Sequence, residues 1–383
     1  MNLKPDRRAW VAAGMMLAWL LIGSAVARAE DGYDLWLRYV ALPPEVARTA
    51  DGLFRSIVVT DENPTTAVAA AELERGLAGL LGRDVAITPA SALQSRAFDP
   101  AGSVLLGTPE SLRRFGIELT PAAASADAFA VRTDVDSGLV AIAGRSPAAQ
   151  LYGAFALLRQ LQMARDPRDL ELESSPRIQH RLLNHWDNLD RSVERGYAGQ
   201  SLWDWTTLPE YRDPRYRDYA RANASLGING TVLNNVNARA DSLTANYIAK
   251  SAALAEEFRP YGIRVYFSAR FSAPIDIGGL ETSDPLDPAV RAWWRDKAAE
   301  IYAAIPDFGG FLVKANSEGQ PGPQDFGRTH ADGANMLAEA VAPFGGIVMW
   351  RAFVYSDTNP EDRARQAFSE FVPLDGEFAD NVI

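Results

Sequence analysis

The strongest constraint on how this chain can fold is a change of rhythm at Arg177. From there onward, short apolar runs alternate with amphipathic stretches. Strand patterns fall at 181–184, 230–233, 263–267, 310–313 and 346–350. Helical patterns lie between them at 211–226, 247–259, 288–304 and 333–341, and another opens near Pro360. Such alternation requires a parallel sheet with helical crossovers. The stretches after each strand are longer than those before it, and a (β/α)8 barrel keeps its chemistry on that side. Five such units precede Ile383, and 380–383 reads as the entry to a sixth strand. The expected fold class is α/β: a small N-terminal α/β domain, then an incomplete (β/α)8 TIM barrel over 177–383. An open α/β sheet is the alternative.

The earlier residues divide into three parts. Residues 1–29 read as a secretory signal peptide: Lys4, Arg7 and Arg8 precede an apolar run, and Ala27-Arg28-Ala29 is a small-x-small cleavage pattern. That places the protein in the periplasm or outside the cell. Residues 30–165 predict the N-terminal domain. It has strands at 56–59, 104–106, 128–132 and 139–143, with helices at 65–81, 110–115 and 147–162. The last two strands are joined as a hairpin through Asp136-Ser137-Gly138. Residues 166–176, charged and closed by Pro176, read as a linker.

Composition narrows the chemistry. A net charge of -11 with no basic patch argues against nucleic acid as a partner. The apolar run near the N-terminus is short for a membrane span. There is no cysteine, so disulfides, a thiolate nucleophile and cysteine zinc sites are excluded. With three histidines, a multi-histidine metal site is not expected, and neither a metal nor another cofactor is called for.

Four strand ends carry polar groups that a core would not choose. After 310–313 come Lys314, Asn316 and Glu318, which alternation puts on one face if the strand persists. They are either catalytic groups at a barrel mouth or a solvated ion pair. After 181–184 comes Trp186, a natural floor for a pyranose ring or an ordinary core indole. After 230–233, Asn234, Asn235 and Asn237 surround Val236; such amides bind sugar hydroxyls but also form turns. After 346–350, Arg351 must find an anion or water. Together with Lys314 it could clamp a carboxylate, or it could pair with one of the chain's own acids.

Five blocks, in order, resemble the family 67 glycoside hydrolases, the α-glucuronidases of xylan breakdown: HWDN with ERGYAG, LNNVNA, VKANSEGQPGP, MWRAFVY and FVPLDGEFADNV. The likeness covers about residues 177–383, and 30–165 is more weakly similar to the family's N-terminal domain. It implies metal-free, inverting cleavage of an α-1,2 bond, releasing glucuronic acid or its 4-O-methyl ether from the non-reducing end of xylo-oligosaccharides. Glu318 would be the general acid, Lys314 and Arg351 the uronate clamp, and Trp186 and Val236 the lining of the sugar and methyl-ether pocket.

The resemblance also implies base carboxylates, and a helical domain used for dimerisation, in blocks beyond Ile383, so this form is expected to be poorly active. Two other readings stay open: a hexosaminidase-like glycosidase, which also pairs a small α/β domain with a barrel, and a non-catalytic uronate-binding protein.

Overall fold

The computed structural model describes residues 31–50, 52–89, 91, 101–237, 239–354 and 362–383. The expected leader at 1–29 and Pro360 lie outside them. The chain divides into two compact units, Met1–Arg38 and Tyr39–Ile383, and the second carries everything described below.

Its first layer is a six-stranded sheet. The strands are β1 (Ser56–Val59), β2 (Ala86–Pro89), β3 (Ser103–Gly107), β4 (Phe129–Asp134), β5 (Leu139–Gly144) and β6 (Glu171–Ser174). Their order is β2-β1-β3-β5-β4-β6. The pairs β1–β2, β1–β3 and β3–β5 are parallel. β4 runs antiparallel to both β5 and β6. Two helices, α1 (Pro64–Leu81) and α2 (Pro147–Gln162), cover it. Two of these strands have no counterpart among the strand patterns of the sequence. β2 is a short edge strand, and β6 falls inside the segment read as a linker, so that segment is part of the first sheet.

The second layer is a five-stranded sheet of β7 (Leu182–Asn184), β8 (Gly230–Val232), β9 (Arg264–Ala269), β10 (Gly310–Val313) and β11 (Ile347–Trp350). Strand order follows chain order and every pairing is parallel. Helices α3 (Pro214–Ala224), α4 (Ala245–Phe258), α5 (Pro288–Ala304) and α6 (His330–Val341) cross over between strands, and α7 (Arg363–Phe371) follows β11. Val348 bridges Val382 in parallel, so the expected sixth strand has begun to pair. This is a parallel half-barrel, as the alternation of patterns requires.

Local chemistry explains where the helices start. α1, α2, α3 and α5 each open on a capping side chain followed by proline at the first turn: Asn63, Ser146, Asp213 and Asp287 accept from backbone N–H groups. The cap satisfies an orphan donor, and proline has no donor to waste there.

The inner face of the half-barrel is apolar below and polar above. Val232, Val236, Tyr266 and Leu312 are buried together, with Leu182, Trp186, Ile347 and Met349 packed against them. Tyr266 lies across the lower end because Gly230 and Gly309 leave room; a Cβ on either would overlap its ring. With a side-chain period of two, the residues that follow Leu312 and Met349 on this face are Lys314 and Arg351. The two sheets are tied together by a buried cluster, in which Arg221 on α3 donates to both oxygens of Glu72 on α1 at 2.7 and 2.8 Å.

Candidate active site at the C-terminal ends of the parallel strands

Lys314 leaves the end of β10 and is almost wholly buried. Its Nζ donates to Glu318 Oε2 at 2.5 Å and to Asn237 Oδ1 at 2.7 Å. Asn237 reaches it from the loop after β8. A buried ammonium needs such partners, because losing water without them costs several kcal/mol (roughly).

Glu318 reaches Lys314 by a route different from the one the alternation implied. β10 stops at Val313. Asn316 and Glu318 then take left-handed backbone conformations, with φ of 51° and 48°, and Ser317 bridges Gln320. A tight turn, not a continued strand, folds the carboxyl back over the lysine. Non-glycine residues at such angles are strained, and strain of this kind concentrates at working sites. Arg195 approaches the other carboxylate oxygen from the loop after β7, its Nη2 3.4 Å from Oε1. The hydrogen bond from Lys314 is the main influence holding the Glu318 carboxyl below the ordinary 4.5, against partial desolvation, with Arg195 adding a smaller pull. In the free protein Glu318 is therefore a carboxylate.

Arg351 follows β11, and its N–H donates to the Val313 carbonyl at 3.1 Å. The ion pair weighed for it in the sequence is not found among the described residues. Its Nη1 is buried without a hydrogen-bond partner among the described residues, and its guanidinium lies 5.7 Å from the Phe353 ring centre. Burial weakens its hold on its proton, and the Glu318 charge works the other way.

Trp186 and Val236 sit on the apolar floor beneath these groups, Val236 buried and Trp186 half-buried. The asparagines around Val236 divide by role. Asn234 is structural: its side chain bonds the backbone of Ser268 in both directions, at 3.0 and 2.8 Å. Asn235 donates to Asn188 Oδ1 at 3.0 Å, which fixes the loop after β7. Asn237 alone faces a site residue.

Nothing in the local sequence pattern gives Arg195 a role. The ERGYAG block drew attention to its neighbourhood, but contact with a residue 123 positions away has no local signature.

Among the described residues no group of three or more His, Asp or Glu side chains could hold a metal. What the arrangement offers is a titratable carboxyl, ionised in the free protein, two cations from adjacent strands and an apolar floor. A half-barrel with these groups at its C-terminal mouth is a barrel-type α/β protein equipped for acid–base chemistry beside an anion.

Comparison with known proteins sharpens the class. The sequence profile of the glycosyl hydrolase family 67 middle domain matches residues 160–383, and that of the family 67 N-terminus matches 35–157. The chain belongs to glycosyl hydrolase family 67. It is 39% identical to the probable alpha-glucuronidase A of Aspergillus fumigatus over 97% of its own length and 44% of that protein's. It is 38% identical to the alpha-glucuronidase of Hypocrea jecorina over 96% of its length and 44% of the relative's. The chain thus spans somewhat less than half of the curated relatives it matches. Among solved structures it is similar in fold to CpGH84D (TM-score 0.55, 11% identity, 85% of this chain and 51% of the other). It is likewise similar to a GH138 enzyme targeting pectin rhamnogalacturonan II (TM-score 0.52, 15% identity, 85% and 37%).

Proposed function

We propose that this chain carries the uronate-recognising half of an α-glucuronidase that releases glucuronic acid or its 4-O-methyl ether from the non-reducing end of xylo-oligosaccharides. The observation that carries the reading is the unmatched Arg351 guanidinium beside the buried Lys314 ammonium. Two cations on neighbouring strands, one without a counterion among the described residues, suit a carboxylate on the ligand. Trp186 and Val236 below them offer an apolar surface to a sugar face or a methyl ether.

In this reading Glu318 is the general acid of an inverting hydrolysis of an α-1,2 bond. It protonates the leaving oxygen while a second carboxylate, about 6.5–9.5 Å away, activates water. Among the described residues none is assigned that second role. Free Glu318 is ionised, so the acid must acquire its proton when substrate arrives. The ligand's carboxylate supplies the means: once it occupies Lys314 and Arg351, Lys314 no longer needs Glu318 as its counterion, and desolvation raises the carboxyl's hold on a proton. We also propose that the protein works outside the cytoplasm, on the strength of the leader-like pattern at 1–29.

The test is calorimetry with glucuronic acid and with glucose. Glucuronic acid should bind and glucose should bind at least about tenfold more weakly, as one lost charged contact predicts. Arg351→Leu should remove the preference. Equal binding of the two sugars by the unaltered chain would refute the uronate site. A Glu318→Gln variant that keeps glucuronic acid affinity but loses the proton uptake that accompanies binding in the parent would support the acid role, and release of glucuronic acid from an aldouronic substrate by that variant would remove Glu318 from it.

A further inference from the structure

We propose that Arg270, in the loop after β9, is a positioning residue for Glu318 and acts through Gln320. It holds the reversed turn that carries the carboxyl, so that the acid stays at the strand mouth when a ligand draws Lys314 away from it. The use of this hold during binding rests on the uronate reading above, while the hold itself belongs to the free chain.

The turn needs holding. Asn316, Glu318 and Gly319 all have positive φ, at 51°, 48° and 75°. Two of the three carry side chains, so the conformation is strained. Within it, the Gln320 N–H donates to the Ser317 carbonyl at 2.9 Å. The chain then returns against its own start: a Cβ on Gly322 would come 2.6 Å from the Asn316 nitrogen. Backbone of this kind persists only where its surroundings over-determine it.

Among the described residues, the side chains that hydrogen-bond residues 316–320 from outside are Lys314, Arg195 and Arg270. Lys314 and Arg195 hold the carboxyl itself. Arg195 is 62% exposed and 3.4 Å away, which makes it a weak restraint. Lys314 is the firm one, and a bound uronate would draw it off. Arg270 bonds the turn at a residue other than the acid, its Nη1 donating to Gln320 Oε1 at 3.1 Å. That bond does not depend on the charge of Glu318, so it survives when Lys314 is taken.

Arg270 is itself fixed from behind. Its Nε donates to Asp276 Oδ2 at 2.9 Å and to Ser272 Oγ at 3.0 Å, and Ser272 donates to the same carboxylate oxygen at 2.7 Å. Asp276 ends the short helix Ala273–Asp276. A planar guanidinium pinned along one edge presents its other edge in a set direction. Asp276 also offsets its charge, and the cations that pull on the Glu318 proton are Lys314 and Arg195. Arg270 therefore acts on the acid by holding its backbone, not by its field.

The test is a carbon NMR titration of the glutamate carboxyls of the whole chain without ligand, the Glu318 signal being assigned by its loss in Glu318→Gln. In the parent, Glu318 should titrate below 4.5, because the turn keeps it on Lys314. Gln320→Leu changes no charge and cuts the tie, so the titration should move up towards 4.5 as the carboxyl leaves the lysine for water. In an Arg270→Gln background the same substitution should shift nothing further, because the tie is already gone. If Arg270→Gln does not fold, Arg270→Lys, which keeps the charge and loses the fork, takes its place. An unmoved Glu318 titration in Gln320→Leu overturns the proposal even if the melting temperature falls, since the contact is then structural only. An equal upward shift in both backgrounds also overturns it, by showing that Gln320 acts without Arg270. No ligand enters the titration, so failure of the uronate reading leaves its outcome untouched.

Discussion

Lys314 Nζ stands 2.5 Å from Glu318 Oε2, and the lysine side chain is 2% exposed where the glutamate is 32% exposed. The pair is therefore asymmetric: one charge is committed to the interior and the other can still turn to water. Removing either partner should have a different cost.

Glu318→Gln leaves a buried ammonium with amide oxygens only, and should lower stability by about 1–3 kcal/mol. Lys314→Met removes the buried charge itself and leaves Glu318 near the surface with Arg195. Its stability should fall by less than about 1 kcal/mol, or rise. Urea denaturation of both variants measures this. Equal losses would mean that the lysine is not the committed partner.

Binding of glucuronic acid should draw a proton from solvent. In the free chain the Lys314 hydrogen bond holds Glu318 below 4.5. When a ligand carboxylate takes over Lys314, the folded-state pKa rises, and between the free and bound values the complex holds one proton more. Uptake should therefore be seen between the free and bound values and fade once the pH is well above the bound value. Calorimetry in buffers of different ionisation enthalpy reports it directly. Glu318→Gln should show none, and an absence of uptake in the parent across this range would contradict the proposed switch.

The buried cluster between the two layers makes a third prediction. Arg221 donates to both oxygens of Glu72, and Tyr39 donates to the same carboxylate at 2.5 Å. Arg221→Met leaves that carboxylate with the Tyr39 hydroxyl as its hydrogen-bond donor and Arg75, 4.0 Å from Oε2, as its nearest remaining cation, at a cost of about 3 kcal/mol. Adding Glu72→Leu to Arg221→Met should recover most of the loss, since replacing both members of a buried pair with apolar groups is often close to neutral. Denaturation midpoints of the single and double variants decide it. A double variant as unstable as the single one would show that the pair is not what holds α1 to α3.

Much of this layout was legible in the chain. The βα alternation after Arg177 required the parallel half-barrel, and the helix expected at 288–304 is kept, while the one expected at 211–226 is confined to Pro214–Ala224 behind the Asp213 cap. Two strands escaped. β6 reads Glu171 to Ser174, almost wholly polar, because an edge strand facing water carries little hydrophobic pattern. β2 is four residues long, with Pro89 at its end. In the site, alternation put Lys314 and Arg351 on the inner face. It failed at Glu318, because Asn316 and Glu318 take left-handed conformations and, with Gly319 at φ 75°, turn the chain back between Ser317 and Gln320. Arg195 and Arg270 acquire their meaning only from contacts that cross from one βα loop to another.

The last prediction concerns His330, at the start of α6. Trp350 Nε1 donates to its Nδ1 at 3.1 Å, and its Nε2 lies 2.9 Å from Glu370 Oε2. Nδ1 must accept, so the neutral ring carries its hydrogen on Nε2, and the charged form would have to give up the indole bond. The ring is also stacked on Phe371, 4.4 Å between centres. Burial lowers the folded-state pKa below 6.5, with Glu370 opposing less strongly. The sign follows from linkage. Well above 6.5 both folded and unfolded chains are neutral here and the group contributes nothing to pH dependence. Below it the unfolded chain takes up a proton that the folded chain refuses, so stability falls as pH drops towards the folded pKa and levels off beneath it. Urea midpoints at about pH 7.5 and about pH 5.5 should differ more for the parent than for His330→Gln, by up to about 1 kcal/mol. Parallel pH profiles for the two proteins would show that protonation of His330 does not govern stability in this range.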